Sequence, residues 1–275
     1  MKIKLIAFVI LLSFVTGCLK EQPELPDKVS KQNDLVMATL YNYYAQEYRA
    51  LAYQAFNLGK LKIDEAVRTN KTKNKLAVVV DIDETMLDNS PYQAHTIKTG
   101  TGYPTCWNEW CNLAEAREVP GASDFMNYAV SNGVDVFYVS NRKKKYVSAS
   151  TVENLKKLGF PQAEEEHLLL REEKSESNPH PSDKESRRQK IREMGYEIIL
   201  LVGDNLGDFY TDSQVNDLRT AQVEEQQHLF GSKFIVLPNA MYGNWPSSIG
   251  AVDHDGIDSL ISVMANSLEK TCPAK

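Results

Sequence analysis

A doubly wound α/β fold, with a parallel sheet and a small, mainly helical cap, is predicted from three observations on this 275-residue chain. Short aliphatic runs recur with helical stretches between them. The runs are apolar throughout rather than alternating, which suits strands buried on both faces. Several of them end abruptly in polar and charged residues, where an open parallel sheet places its ligands. The candidate strands are Leu76 to Val80, Val134 to Val139, His167 to Leu170, Ile198 to Val202 and Phe234 to Leu237. Val147 to Leu158, Lys184 to Met194 and a segment around Thr211 to Leu229 read as crossover helices.

The remaining segments follow from composition and punctuation. Residues 1–17 place Lys2 and Lys4 before an apolar run that is too short to span a bilayer and ends in small residues, the pattern of an export signal. Its end, Val15-Thr16-Gly17-Cys18, resembles the bacterial lipobox, which implies lipid on Cys18 and attachment to a membrane surface. Residues 18–33 are polar and proline-bearing, a tether. Residues 34–275 then form the folded domain. Leu35 to Leu58 is expected to be one helix stopped by Gly59. Residues 34–70 and 90–119, the latter carrying Gly100, Gly102, Pro104 and the cluster Cys106-Trp107-Asn108-Glu109-Trp110-Cys111, are expected to cap the mouth of the sheet. Ile257, Leu260, Ile261, Met264 and Leu268 recur at helical spacing, the pattern of a packing helix.

Charge and cysteine content exclude some functions. The formal charge is −6, and −8 once the first 17 residues are removed, so the chain offers too few cations to bind nucleic-acid polymers by counterion release. With Cys18 acylated, Cys106, Cys111 and Cys272 remain and permit at most one internal bridge. Cys106 and Cys111 are too widely spaced for a redox or zinc pair. The sequence does not fix the oligomeric state, and a homodimer is one candidate.

Four strand ends carry the candidate chemistry. They are Asp81-Ile82-Asp83-Glu84-Thr85, Ser140-Asn141-Arg142, Asp183-Lys184, and Gly203-Asp204-Asn205-Leu206-Gly207-Asp208. Asp81 and Asp83 repel one another unless a divalent cation lies between them and a third carboxylate, which Asp204 is placed to supply. An all-oxygen ligand set fits Mg²⁺ better than zinc, one ion per chain. Taken singly, each of these motifs is an ordinary turn, strand cap or helix start. Their joint occurrence, in this order, is not expected of independent turns.

These four motifs resemble those of the haloacid dehalogenase superfamily. The longer strings VVVDIDETMLDNSPY and ILLVGDNLGDF are similar to the paired signatures of its class C acid phosphatases, exported bacterial lipoproteins that act as nucleotidases. The resemblance spans roughly Leu76 to Trp245. It implies that Asp81 attacks phosphorus and forms an aspartyl-phosphate, and that Asp83 protonates the leaving alkoxide and then deprotonates water. It implies that Ser140, Asn141 and Lys184 bind the phosphoryl group. Mg²⁺ would be held by Asp81, Asp204, Asp208 and Asp83, the last through its backbone carbonyl. It implies an outer-membrane location in the cell envelope.

The expected substrate is a small phosphomonoester, a nucleoside 5'-monophosphate or nicotinamide mononucleotide, with Trp107 and Tyr242 stacking on the base. The plain alternative is that these aromatics pack cap against core. Rival readings are a surface haem or nutrient carrier, against which no Cys-x-x-Cys-His occurs, and a sugar-phosphate phosphatase or phosphotransferase on the same scaffold.

Overall fold

The computed structural model describes residues 35–70, 74–176, 178–211, 216–251 and 254–269. The expected leader, Cys18, the tether and Cys272 lie outside the described residues. The strands are β1 (Lys75–Val80), β2 (Leu87–Asp88), β3 (Arg117–Glu118), β4 (Val134–Lys143), β5 (Leu168–Arg171), β6 (Tyr196–Gly203) and β7 (Phe234–Val236). Five of them form one sheet in the order β5-β4-β1-β6-β7. Every pairing within it is parallel. All five apolar runs read from the sequence are strands of this sheet.

Alternate residues of β1 explain why that run is apolar from end to end. Leu76, Val78 and Val80 pack into one buried cluster. Ala77 and Val79 enter a second cluster on the other face. A bulge opposite Ala77 and Val78 leaves Ile199 unpaired in β6. Ile199 and Leu200 therefore both turn toward the first cluster, before strict alternation resumes through Leu201 and Val202.

The helices include α1 (Val36–Tyr44), α2 (Gln46–Thr69), α3 (Ser90–Thr99), α4 (Trp107–Leu113), α5 (Ala122–Ser131), α6 (Lys144–Lys157) and α7 (Glu185–Glu193). Beyond them lie α8 (Asn216–Glu225), α9 (Trp245–Ser248) and α10 (His254–Glu269). The single helix expected over residues 35–58 is two. Ala45 takes an extended conformation, with φ −71° and ψ 134°, and separates α1 from α2. Gly59 does not stop α2. It lies inside that helix, where a Cβ would stand 2.7 Å from Phe125, so the missing side chain admits the ring of α5.

The segment assigned to the cap also divides. α1 packs on α3, whereas α2 packs on α5, β6 and β7 as part of the helical layer. Tyr48, Ala52, Phe56 and Ile63 bury its inner face beside Val78 and Val80. Arg117 ties the cap together: its Nε donates to Asp88 Oδ2 at 2.7 Å, and its Nη2 donates to the Tyr43 carbonyl at 2.8 Å. α10 is helical as the spacing predicts, but its apolar stripe is only partly covered, with Ile261 and Met264 exposed.

Candidate active site

The chain leaves β1 toward β4 and leaves β6 toward β7, so the loops after these adjacent strands diverge and open a crevice between them. Asp81 follows β1 directly, and its backbone N–H donates to the Val202 carbonyl of β6 at 2.9 Å. Asp204 follows β6, and the short turn after it carries Asp208. One carboxylate oxygen from each of Asp81, Asp204 and Asp208 lies within 4.8 Å of the others. Lys184, buried at the start of α7, donates to Asp81 and to Asp208 Oδ1, the latter at 2.6 Å.

This cluster holds more negative charge than its one lysine offsets. Burial pushes the Asp81 carboxyl up to about 7, with Lys184 opposing and Asp208 and Asp83 adding to the rise. Asp204 is raised well above the usual range by burial and by Asp208 and Asp81. Burial alone would lower Lys184, but Asp208 and Asp81 raise it. A divalent cation is the natural relief for such a set, and three hard oxygen donors at this spacing fit one.

The carboxylates are held from behind. Asp204 accepts from Asn239 Nδ2 at 2.8 Å and from Thr85 Oγ1 at 3.3 Å. Asp208 Oδ2 accepts from the Asn205 N–H at 2.9 Å in a capping box. Gly203 permits the turn, because a Cβ there would lie 2.1 Å from Asp208 Oδ2.

Asp83 stands in different company. Its side chain is not part of the three-carboxylate group and faces Arg142, a buried residue of β4. Arg142 donates to Asp83 Oδ1 from Nη2 at 2.8 Å and from Nε at 3.0 Å. Asn89 Nδ2 donates to the same oxygen at 2.9 Å. Ser140 lies 3.4 Å from Asp83 Oδ2 and accepts the Arg142 N–H at 3.1 Å. β4 runs four residues past the predicted end at Val139, so strand alternation buries Ser140 and Arg142 and exposes Asn141.

Asn141 is fixed at the rim, donating to the Ser182 carbonyl at 3.1 Å and accepting from Arg187 Nη2 at 2.7 Å. Arg187 also donates to the Ser140 carbonyl at 2.6 Å, and burial lowers its pKa to about 10.

The expected site residues that are described all line one open cleft of about 1220 Å³. Trp107 packs edge-on against Tyr92, with ring centroids 4.9 Å apart, and the Tyr242 hydroxyl is buried without a partner. Trp110 points elsewhere, its Nε1 donating to Asn89 Oδ1 at 2.8 Å. Among the described residues, Cys106 and Cys111 are not bridged to one another.

The sequence places Arg142 in the Ser140-Asn141-Arg142 strand end and Asn89 in the loop after β1 without a role for either, and it does not single out Arg187 or Asn239. Continuing the β4 alternation past Val139 would have found Arg142. Reading the polar residues after the fifth run as well would have found Asn239.

A family profile described as HAD superfamily, subfamily IIIB (acid phosphatase) matches residues 24–245. Among solved structures, the class C acid phosphatase from Bacillus anthracis is 37% identical, with a TM-score of 0.73, over 86% of this chain and 97% of that one. The same enzyme with tungstate bound superimposes with a TM-score of 0.72 at the same identity and coverage.

Among curated proteins, a Stem 31 kDa glycoprotein of Glycine max is 29% identical over 189 residues, 68% of this chain and 64% of that protein. The Stem 28 kDa glycoprotein of the same plant is 33% identical over 132 residues, 47% of this chain and 51% of that protein. The chain thus spans less than two thirds of the length of these plant relatives. With its parallel five-stranded sheet and the profile match over most of its length, the chain belongs to the acid phosphatases of HAD subfamily IIIB.

Proposed function

We propose that this protein is a Mg²⁺-dependent phosphomonoesterase that works through an aspartyl-phosphate on Asp81 and acts on nucleoside 5'-monophosphates, nicotinamide mononucleotide among the candidates. The observation that carries the reading is the convergence of Asp81, Asp204 and Asp208 around one small volume, with Lys184 bridging two of them. Tungstate is a tetrahedral oxyanion like phosphate, and the Bacillus anthracis relative binds it.

Asp81, Asp204 and Asp208 would hold Mg²⁺, which when bound neutralises phosphoryl oxygens and the carboxylates around it. Lys184 favours the ionised form of Asp81 against its burial and aims it. An Asp81 oxygen attacks phosphorus in line, where orientation rather than basicity supplies most of the gain. Ser140 and Asn141, both at the tip of β4, donate to the phosphoryl oxygens. Asp83 gives its proton to the departing alkoxide, and then takes one from the water that releases phosphate from Asp81. Trp107 and Tyr242, both lining the cleft, face the leaving nucleoside with their rings. Lipid on Cys18 would hold the enzyme at the outer membrane, where it frees nucleosides for uptake.

The test is phosphate release by the signal-free protein from a panel of nucleotides and sugar phosphates, with and without EDTA. Nucleotide turnover that needs Mg²⁺ is expected. A preference for sugar phosphates would move the assignment to the sugar-phosphate reading, and no metal-dependent turnover of any ester would leave a carrier.

A further inference from the structure

We infer that Arg142 is a positioning residue that presents a single oxygen of Asp83, Oδ2, to the leaving group. The inference rests on the phosphomonoesterase reading above. The two oxygens of Asp83 are treated very differently. Oδ1 accepts three short N–H bonds, from Arg142 Nη2 at 2.8 Å, Asn89 Nδ2 at 2.9 Å and Arg142 Nε at 3.0 Å. Among the described residues, Oδ2 meets only two long contacts, Arg142 Nε at 3.3 Å and Ser140 Oγ at 3.4 Å. An oxygen already accepting three donors has no lone pair left for a proton, so the transferable proton resides on Oδ2.

Arg142 is itself locked. Its side chain is 1% exposed. Nη1 donates at 3.1 Å to Thr151 Oγ1 on α6, and that hydroxyl donates onward to the Val147 carbonyl at 2.7 Å. Its guanidinium carbon lies 5.7 Å from the centre of the Trp107 ring, on the cleft wall where the leaving group is expected. A planar fork fixed at both ends sets the carboxyl plane of Asp83, which a lysine cannot do because an ammonium carries no fork geometry.

In the step so assisted, the bond from phosphorus to the ester oxygen breaks and its electron pair goes to that oxygen. The Oδ2 proton moves onto the same oxygen, and Asp83 is left as the carboxylate. Losing this alignment matters in proportion to how much the leaving oxygen needs a proton. An alkyl ester such as a nucleoside monophosphate should suffer strongly, and p-nitrophenyl phosphate, whose phenolate leaves without help, much less.

The experiment compares kcat and KM of wild type, Asp83→Asn, Arg142→Lys and Thr151→Val on both esters with Mg²⁺ present. For Arg142→Lys we expect kcat on the nucleoside monophosphate to fall about 100-fold, with the loss on p-nitrophenyl phosphate at least tenfold smaller and KM little changed. Thr151→Val should show the same split to a lesser degree, and it keeps the test valid should Arg142→Lys fail to fold. Equal losses on the two esters, or none, would overturn the role of Arg142. The two readings fail separately. If Asp83→Asn itself shows no split, the acid assignment falls; if Asp83→Asn shows it and the Arg142 and Thr151 variants do not, only this inference falls.

Discussion

Asp81 and Asp83 are two residues apart, yet the molecule gives them opposite surroundings. At the tips of β1 and β6, three buried carboxylates share one lysine and remain short of positive charge. At the tip of β4, one carboxylate has an arginine to itself, with Asn89 in support. The first arrangement is a demand for a cation and the second is a finished hydrogen-bond network. Environments that separate neighbouring carboxylates in this way suit them to different chemical work, and in the mechanism proposed above one attacks phosphorus and the other moves a proton.

The largest expected effect on this contrast is that of Asp81→Asn, which removes the proposed nucleophile while leaving the Asp83 network in place. Phosphate release should fall by about 10⁴-fold or more, with the far-ultraviolet spectrum and melting temperature retained. Turnover near that of wild type would end the contrast as a division of labour.

A smaller effect is expected behind the carboxylates. Asn239 touches Asp204 and lies outside the Arg142 network, so Asn239→Leu should weaken Mg²⁺ binding by about 10- to 100-fold. Read as the Mg²⁺ concentration giving half-maximal activity, the shift should be absent in Thr151→Val, which lies on the other side.

The smallest effect is thermodynamic. Without metal, Asp81 and Asp204 have raised folded-state pKa values, so their contribution to stability is full below the ordinary carboxylate range and is lost as pH rises, for Asp81 through about 7. Mg²⁺, held as proposed by the ionised carboxylates, would have the opposite dependence. The gap in melting temperature between Mg²⁺ and EDTA should therefore widen from pH 5 to pH 8, by roughly 5 °C. A gap that stays constant across this range would place the cation elsewhere.

The two regions also differ in how far the sequence revealed them. Asp81, Asp204 and Asp208 follow apolar runs buried on both faces, a pattern that marks strand ends directly. Ser140 was legible for the same reason. Arg142 stands in the same strand end, but its inward turn and its role were not legible, because the run VDVFYV hides the continuation of β4 into a polar stretch, where only alternation shows which side chains turn inward. Asn89 acts through side-chain bonds to Asp83 and Glu84 within its own loop and to Trp110 on α4, which no strand or helix periodicity encodes. The long N-terminal helix departs from expectation at two points, a break where none was read and no stop where one was. Alanine is a strong helix former, yet Ala45 is where the chain turns, and Gly59 serves packing against Phe125 rather than termination.

The central claim, that Asp81 becomes covalently phosphorylated at a Mg²⁺-dependent site, is tested most directly by acid-quenching the full chain during turnover of a nucleoside 5'-monophosphate and mapping its peptides by mass spectrometry. The expected result is one phosphoryl group on the peptide carrying Asp81, present with Mg²⁺ and absent with EDTA or in Asp81→Asn. Rapid turnover with no phosphoryl group on that peptide, or one on a different residue, would contradict the account.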